Sequence, residues 1–388
     1  MELVLPRSAA SVLQALRAAG YEAYVVGGCV RDSLLGRRPG DWDVTTSALP
    51  EETKAVFSGA PVIETGVRHG TVAVLVGGEP IEITTYRVDG PYSDGRRPDS
   101  VAFTRSLRED LARRDFTVNA MAWSPETGLV DPFGGAGDLR GKLIRCVGDP
   151  ARRFQEDALR ILRALRFSSS LGFSIEAETA AALRADRARL EKVSAERIAA
   201  ELVKLVCGAD APRVLREFPE VVARVLPGWD CDPDALGRAP ADPAVRLAML
   251  FSTEADAEAA LRRLKFDRGT IRAAKALLAF RTAPLAEDRP AVRRMLRKLG
   301  PAAFRRLLAM RAAYGEPLAG VERALGKVLE EGDCWSLDAL AVKGGDLLAA
   351  GVPAGPELGR TLAALLDAVI DGRCPNERAA LLNFVFPQ

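Results

Sequence analysis

The feature that most constrains this chain is a glycine turn followed by two closely spaced aspartates, within residues 24–46 (YVVGGCVRDSLLGRRPGDWDVTT). The opening Tyr-Val-Val favours a strand, the pair Gly27 and Gly28 ends it, and the next residues can form a helix that Gly36 closes. Backbone N–H groups at such a helix start can bind phosphate, and Arg31 can add charge-assisted hydrogen bonds. The stretch therefore predicts a phosphate-binding strand, turn and helix.

The two aspartates, Asp41 and Asp43, follow this predicted helix. On a strand they would lie on one face, since side chains alternate. Two carboxylates on one face repel each other unless a cation lies between them, and Mg²⁺ suits such a pair together with substrate phosphates. Taken alone, these short patterns are also typical of a solvated loop with two surface aspartates.

Composition predicts a globular chain with two to four compact units, since 388 residues with 48% hydrophobic content can form real cores. A net charge of +2 does not identify a nucleic-acid binder, so an RNA surface must come from local clustering of the 54 Lys and Arg residues. The six cysteines are far apart and include no C-x-x-C pair, which argues against zinc and against a disulfide framework. We expect reduced thiols in a cytoplasmic protein, without an export signal or a membrane span.

A predicted hairpin follows the aspartates. Residues 71–76 and 81–86 alternate as strands and are joined by a Gly-Gly-Glu-Pro turn. Glu82 faces away from its isoleucine neighbours, which makes it a candidate third carboxylate, and an ordinary exposed strand glutamate is the alternative. The one histidine, His69, has no second histidine with which to form an H-D-type metal-phosphohydrolase site.

The complete string G-G-x-V-R-D-x-L-L-G followed by D-x-D resembles the signature of the polymerase-β-like nucleotidyltransferases. It is similar in particular to the class II tRNA nucleotidyltransferases (CCA-adding enzymes) of the bacterial type without an H-D domain, and to bacterial poly(A) polymerases. The resemblance implies an α+β fold in which a head with a small mixed sheet precedes an all-helical neck, body and tail. It also implies two Mg²⁺ ions on Asp41 and Asp43, with the third acid on a neighbouring strand, where Glu82 lies.

The activity that the resemblance implies is template-independent addition of C, C and A to the tRNA 3′ end from CTP and ATP, with release of pyrophosphate. Residues 87–106 resemble the flexible loop of full CCA-adding enzymes, so addition of the terminal A is expected too. The string R-R-D-F-T-x-N-A resembles the second family motif. By that match Arg114 contacts the nucleotide, and Asp115 and Asn119 organise the ribose side of the pocket, while Gly27, Gly28 and Arg31 position the triphosphate.

A predicted helix over residues 149–173 carries Asp157, Arg160, Arg163 and Arg166 at intervals of three, as a slanting ribbon. Surface salt bridges are the ordinary explanation of such spacing. However, E-D-x-x-R with further arginines at +3 and +6 resembles the family motif in which protein side chains replace a nucleic-acid template. All four side chains are therefore candidates for nucleotide binding.

The chemistry of that replacement follows from the hydrogen-bonding groups. Cytosine and adenine both present an amino donor beside a ring-nitrogen acceptor, and an aspartate can only accept while an arginine can only donate. Asp157 and Arg160 side by side match that order. Uracil and guanine present the reverse order and would leave both protein groups unpaired, which costs a few kcal/mol in a buried site. One pocket would then take CTP and ATP and refuse UTP and GTP.

Four parts are expected along the chain: a catalytic head over 1–147, a nucleobase-recognition neck over 148–207, a body over 208–325 and a tRNA-binding tail over 326–388. Clustered basic residues of the later helices are candidate phosphate contacts for an RNA recognised by shape. They are Arg262, Arg263, Lys265, Arg268, Arg293, Arg294, Arg297, Lys298, Arg305, Arg306 and Arg311. The expected partners are tRNA, CTP and ATP, with no membrane, and the sequence leaves open whether the chain forms a homodimer.

Three alternatives stay open at this point. A poly(A) polymerase shares the head but is expected to carry a longer basic C-terminal extension. An enzyme that adds only CC or only A shares most of the motifs. A non-catalytic RNA-binding relative is expected to have lost one metal aspartate, whereas this chain has both Asp41 and Asp43.

Overall fold

The computed structural model describes residues 3–90 and 100–386, which divide into two compact units. The first unit extends to Pro227 and the second begins at Gly228. A mixed sheet with helices makes up the first unit, and helices make up the described part of the second. The predicted α+β class is therefore confirmed.

The strands all belong to the first unit. They are β1 (Ala23–Val26), β2 (Val44–Thr46), β3 (Val62–Gly66), β4 (Thr71–Val76), β5 (Glu79–Thr85), β6 (Arg87–Asp89), β7 (Val101–Phe103), β8 (Ala122–Ser124), β9 (Gly128–Val130), β10 (Leu143–Ile144) and β11 (Ser174–Ile175). Seven of them form one sheet in the order β3-β4-β5-β2-β1-β8-β9, in which β2 and β5 are parallel and the other neighbours are antiparallel. The predicted small mixed sheet is confirmed.

Local sequence explains the central strands. All four residues of β1 are buried, as expected of an apolar strand in mid-sheet. Strands β4 and β5 form the predicted hairpin, and its turn residues Gly77 and Gly78 have φ of 62° and 84°, a conformation that glycine adopts without strain. Because β2 lies between β1 and β5, the residues just before β2 come close to the end of β1 and to the middle of β5.

Eleven α-helices complete the described part of the first unit. They are α1 (Arg7–Ala18), α2 (Gly28–Leu34), α3 (Pro50–Val56), α4 (Leu107–Ala112), α5 (Gly135–Gly141), α6 (Pro150–Glu156), α7 (Leu159–Leu171), α8 (Ala177–Asp186), α9 (Ala195–Val206), α10 (Ala211–Glu217) and α11 (Pro219–Val225), with 3₁₀ turns at Val67–His69, Thr117–Asn119 and Arg187–Lys192. Helix α7 packs along α9. This contact brings side chains of α9 to the charged face of α7.

Three predictions of local structure need correction. The two aspartates precede a strand instead of lying on it, since β2 begins at Val44. The predicted helix over 149–173 is two helices, α6 and α7, because Asp157 between them has an extended backbone (φ −143°, ψ 103°). The predicted loop over 87–106 has strands at both ends, β6 and β7, which pair with each other, and residues 91–99 lie outside the described residues.

The second unit contains nine α-helices within the described residues. They are α12 (Pro233–Arg238), α13 (Pro243–Ala248), α14 (Glu254–Arg263), α15 (Arg268–Ala279), α16 (Arg289–Ala313), α17 (Ala319–Glu330), α18 (Gly344–Ala349), α19 (Pro356–Ile370) and α20 (Arg378–Val385), with a 3₁₀ turn at Leu337–Ala339. Helix α16 kinks at Gly300, which has φ 73° and precedes Pro301. Among the described helices, none is both long enough and apolar enough to cross a membrane.

Candidate active site

The glycine turn lies between β1 and α2. Gly27 has φ 81° and ψ −125°, which an L-residue adopts only with strain, and its N–H donates to the carbonyl of Met121 (3.1 Å). A Cβ built on Gly27 would lie 2.9 Å from Nη1 of Arg114. Glycine is thus favoured at position 27 for two reasons, its backbone conformation and the close approach of the Arg114 guanidinium.

Arg31, in α2, is buried and held within the first unit. Its Nη1 donates to Oδ1 of Asn119 (2.6 Å), and its Nε and Nη2 donate to the Asp32 carboxylate (2.8 and 2.9 Å). Its guanidinium also lies 5.1 Å from the centre of the Phe167 ring. The structure therefore places Arg31 beside the glycine turn, as predicted, with three of its five N–H groups already committed to protein acceptors.

Asp43 lies beside this turn, with Asp41 two residues before it and Glu82 on the neighbouring strand β5; Asp41 and Glu82 are exposed. The Asp43 carbonyl accepts from the N–H of Val26, the residue before Gly27 (3.0 Å). Val44 is paired with Ile83 in the parallel β2–β5 ladder. The residues that precede this pair, Asp43 and Glu82, therefore lie opposite each other on the two neighbouring chain segments. Burial, then the negative charges of Asp41 and Glu82, raise the pKa of Asp43 to about 6, and the charge of Arg114 acts in the opposite direction. Two negative charges therefore act on the Asp43 carboxylate here.

These residues fit a hard divalent cation by the chemistry of their donors. Asp41 is exposed, Asp43 is half-buried, and both offer carboxylate oxygens. Within the residues that the structure describes, no group of three or more His, Cys, Asp or Glu is arranged to hold a metal ion by itself. Mg²⁺ is commonly held by one or two carboxylates that substrate phosphates supplement, and Asp41 with Asp43 matches that requirement.

Asp115 organises the neighbouring network. Its Oδ1 accepts from the Phe116 N–H (2.8 Å) and from Nδ2 of Asn119 (3.0 Å), while Oδ2 accepts from Nε and Nη2 of Arg163 (2.8 and 2.6 Å). Burial by itself would raise the pKa of Asp115, but the charge of Arg163 and the Asn119 hydrogen bond hold it well below its usual value. Asp115 is therefore a buried, ionised anchor for Asn119 and Arg163.

Arg114 lies against Gly27, since a Cβ on that residue would be 2.9 Å from its guanidinium. Its Nη2 is 3.7 Å from Oδ2 of the fully buried Asp110, which also accepts from Oγ1 of Thr45 (3.1 Å). Burial lowers the pKa of Arg114, and the charges of Asp110 and Asp43 offset part of that effect. The predicted nucleotide contact is thus a guanidinium close to both the glycine turn and the aspartates.

Asp157 and Arg160 lie at the junction of α6 and α7. Arg160 is buried, and its guanidinium donates to the carbonyls of Arg153 (3.2 Å) and Arg113 (2.9 Å) and to Glu156 (2.7 Å). Asp157 caps the start of α7 by accepting from the Leu159 N–H (3.0 Å). Because the helix breaks at Asp157, this residue does not belong to the regular helical ribbon that the sequence predicted for it together with Arg160, Arg163 and Arg166. Asp157 and Arg160 nevertheless lie at the same junction between α6 and α7.

Residues that sequence reasoning missed come from α9. Arg197 donates to Oδ2 of Asp157 (2.6 Å), and Glu201, which is buried, pairs with Arg166 (2.8 Å) and approaches Arg163 (3.7 Å). Nothing in the local sequence marked either residue, since both belong to an ordinary amphipathic helix. Only the packing of α9 on α7 reveals their role.

An aromatic ring lies among the arginines. Phe167 is almost fully buried, and the guanidinium of Arg166 lies 3.7 Å from its ring centre, with those of Arg31 and Arg163 at 5.1 and 5.3 Å. The ring faces attract the cations, and the carboxylates of Asp32, Asp115 and Glu201 balance the three charges. This arrangement allows three arginines to gather without an unpaired excess of positive charge.

In the second unit, much of the predicted basic surface is engaged in ion pairs. Arg293 pairs with Asp333 (2.7 Å) and Arg294 with Asp371 (2.6 Å). Arg311 is buried and donates to Glu316. Others of the set also have acidic partners: Arg262, Arg297 and Arg306. These arginines have acidic partners within the helical unit, and surface ion pairs are the ordinary explanation of such clusters.

Comparison with known proteins places this geometry in a family. The Poly A polymerase head domain family matches residues 23–145, the family described as the probable RNA and SrmB-binding site of polymerase A matches 172–221, and the putative tRNA nucleotidyltransferase domain 2 matches 244–385. The CCA-adding enzyme of Lactobacillus delbrueckii subsp. bulgaricus is 38% identical over 386 residues, covering 96% of each chain. That of Lactobacillus helveticus is 52% identical over 207 residues, covering 53% of this chain and 51% of that one.

A solved structure agrees with these relatives. The crystal structure of the Bacillus stearothermophilus CCA-adding enzyme in complex with CTP superimposes with a TM-score of 0.84 at 34% identity, covering 98% of this chain and 97% of that one. Metal dependence is general among these nucleotidyltransferases. Full-length identity, shared fold and the carboxylates at the glycine turn agree, and the chain belongs to the CCA-adding enzyme family of tRNA nucleotidyltransferases.

Proposed function

We propose that this chain adds C, C and A to the 3′ end of tRNA, using CTP and ATP without a nucleic-acid template and releasing pyrophosphate. The observation that carries the proposal is the placement of Asp41 and Asp43 just before β2, next to the glycine turn, with Glu82 on the neighbouring strand β5, in a chain that belongs to this family over 96% of its length. The relative whose structure contains CTP supports a nucleotide at the same head.

Asp41 and Asp43 are the residues that would hold two Mg²⁺ ions, with Glu82 as the third acid. When bound, Mg²⁺ activates the RNA 3′-hydroxyl and stabilises negative charge at the α-phosphate. The protein itself supplies the turn at Gly27, whose own N–H is bonded to the Met121 carbonyl, the backbone N–H of Gly28, and the Arg114 guanidinium, which lies against that turn and favours the charged triphosphate. These groups orient the substrate before any bond changes.

The base is read at the α6–α7 junction. Oδ2 of Asp157 accepts one hydrogen bond, from Arg197, and a carboxylate oxygen can accept two, so it retains capacity for the amino group of cytosine or adenine. Arg160, at the same junction, is proposed to supply the donor by exchanging one of its present hydrogen bonds to Glu156 or to the carbonyls of Arg113 and Arg153. With uracil or guanine, the base would place an acceptor against the Asp157 carboxylate and a donor against the Arg160 guanidinium. The groups would then be buried without hydrogen bonds, which disfavours these two bases.

The nucleotide pocket extends from these side chains to the buried network of α7. Arg163 and Asn119 are both fixed by Asp115, and Arg166 is fixed by Glu201. We propose that this network sets the position of the ribose side of the pocket.

The four-part division into head, neck, body and tail is proposed with the bounds given above, and the body and tail are proposed to bind the rest of the tRNA.

We place the activity in the cytoplasm. All six cysteines are free in the structure, four of them buried, which suits a reducing compartment. The proposed partners are tRNA, CTP and ATP.

The test is end sequencing of a tRNA transcript that lacks its last three nucleotides, after incubation with the protein, Mg²⁺, CTP and ATP. Ends that finish in CCA and stop there are expected. Ends that stop at CC would indicate a partial enzyme, and long A tails would indicate a poly(A) polymerase.

Asp41→Asn tests the catalytic assignment. It should lower the turnover by at least about 1,000-fold, because it removes one of two ligand carboxylates, while circular dichroism shows an unchanged fold. Glu191→Gln, which changes an exposed carboxylate of the same unit, is the matched control and should keep full activity. Full activity of Asp41→Asn would overturn the assignment.

A further inference from the structure

Asp110, in α4, is a fully buried carboxylate that connects three parts of the first unit. Its Oδ2 accepts from Oγ1 of Thr45 (3.1 Å), in β2, the strand that follows the two aspartates. Its Oδ1 accepts from the backbone N–H of Arg87 (3.4 Å), in β6, and from Nε of Arg113 (2.9 Å), at the C-terminal end of α4. One side chain therefore joins α4 to two strands, next to the segment that carries Arg114.

The Arg114 guanidinium depends on this carboxylate for its place. The Arg114 side chain is 20% exposed, and its Nε is buried without a hydrogen-bond partner. Within the described residues, the acidic group that pairs with its guanidinium is Asp110, at 3.7 Å. A guanidinium has five N–H groups, and leaving them unbonded in a buried site is costly unless a ligand supplies acceptors. Arg114 is thus ready for an anionic ligand, and Asp110 is the group that holds it.

Asp43 is a competing partner for the same guanidinium. The charge of Arg114 acts on Asp43, yet the two side chains form no ion pair within the part of the chain that the structure describes. Pairing between them would occupy a carboxylate that Mg²⁺ needs and would draw the guanidinium away from the glycine turn. The fixed negative charge of Asp110 offers Arg114 another partner, so the Asp43 carboxylate stays open.

We propose that Asp110 is a positioning residue of the nucleotide site, which holds the Arg114 guanidinium at the glycine turn for the triphosphate and keeps it from pairing with Asp43. Its effect on the reaction passes through Arg114. The inference rests on the proposed function and adds to it the residue that keeps the phosphate-binding cation apart from the proposed metal ligand.

Asp110→Asn tests the proposal, because the amide keeps the size of the carboxylate and loses its charge. The Kd for CTP, measured by calorimetry with Mg²⁺ and without RNA, should rise about tenfold or more, as expected when one charge-assisted hydrogen bond to phosphate is lost. If Arg114 stayed in place, the loss of a neighbouring negative charge would instead tighten the binding of the anionic triphosphate. A Kd that falls or stays unchanged would therefore overturn the proposal.

Two further backgrounds show whether the effect passes through the named side chains. In an Arg114→Met background, Asp110→Asn should change the Kd for CTP by less than about twofold, because the group that it positions is absent. In an Asp43→Asn background, the increase should shrink to less than about threefold, because the competing carboxylate has lost its charge. A full tenfold increase in either background would contradict the proposed route.

Asp333→Asn is the matched control. Asp333 has a side chain that is 9% exposed and is shared by Arg289 and Arg293, in the second unit. Its replacement removes a similarly buried carboxylate charge and should lower the stability to urea without changing the Kd for CTP. A tenfold rise in this control would show that loss of stability alone weakens CTP binding, and that result would overturn the proposal.

Two outcomes are kept separate by this design. If Asp110→Asn does not fold, the comparison of Arg114→Met with Asp110→Asn/Arg114→Met still tests the proposal, since the double variant buries fewer unpaired charges. If the unmodified protein binds CTP and adds no CCA, the proposed function fails, whereas the effect of Asp110 on CTP binding is still measured. The two failures are therefore distinguishable.

Discussion

Gly27→Ala is the most informative change because the structure predicts two separable effects. An L-residue at φ 81° and ψ −125° carries a backbone strain of about 1–3 kcal/mol. In addition, the new Cβ would lie 2.9 Å from Nη1 of Arg114, so that guanidinium must move by several tenths of an ångström. The first effect lowers stability, and the second displaces a proposed substrate contact.

Gly20→Ala separates the two effects. Gly20 has φ 87°, close to that of Gly27, but a Cβ there meets no atom within 4 Å. It should therefore cost about 1–2 kcal/mol of stability and leave activity unchanged. Gly27→Ala should lose a comparable amount of stability and also about 10- to 100-fold in kcat/KM for CTP, the effect expected of a misplaced catalytic-site group.

Urea unfolding followed by circular dichroism measures the stability, and CTP incorporation into tRNA measures kcat/KM. In an Arg114→Ala background the activity cost of Gly27→Ala should shrink, because the group that the methyl displaces is then absent. A folded Gly27→Ala enzyme with wild-type kcat/KM would refute the reasoning, and so would an equal loss of activity in Gly20→Ala.

Two further predictions concern the buried network. Arg197→Met should increase UTP misincorporation about tenfold, because Asp157 loses the group that orients it; Arg224→Met, which breaks an exposed pair, should not. Asp115→Asn should cost about 1–3 kcal/mol at pH 7, at the low end for a buried pair because Arg163 is one-third exposed and also approaches Glu201. Since the folded-state pKa of Asp115 is depressed, its stabilisation is complete above the unfolded value near 4 and is lost as pH falls below it. The difference in unfolding free energy between wild type and Asp115→Asn should therefore shrink between pH 4 and pH 2.5, and a constant difference would contradict the assignment.

The sequence by itself determined which residues of the head are candidates for its chemistry. Consecutive residues suffice to predict the local backbone geometry from the glycine pair and the short helix. They also suffice to predict that the D-x-D spacing offers carboxylate oxygens to a metal ion. The β4–β5 hairpin could also be predicted, because alternation and a Gly-Gly turn are local signals. The helical second unit followed from periodicity in the same way.

Tertiary structure decided which of these side chains meet. Arg31 and Asn119 are 88 residues apart and bond at 2.6 Å, and Arg197 reaches Asp157 across 40 residues. Helical periodicity predicted one continuous helix over 149–173, whereas the chain breaks at Asp157, whose carboxylate caps α7 and accepts from α9. Local patterns report the conformation that a segment prefers. Contacts between distant segments depend on how the sheet and helices pack, and that information is not contained in any single segment.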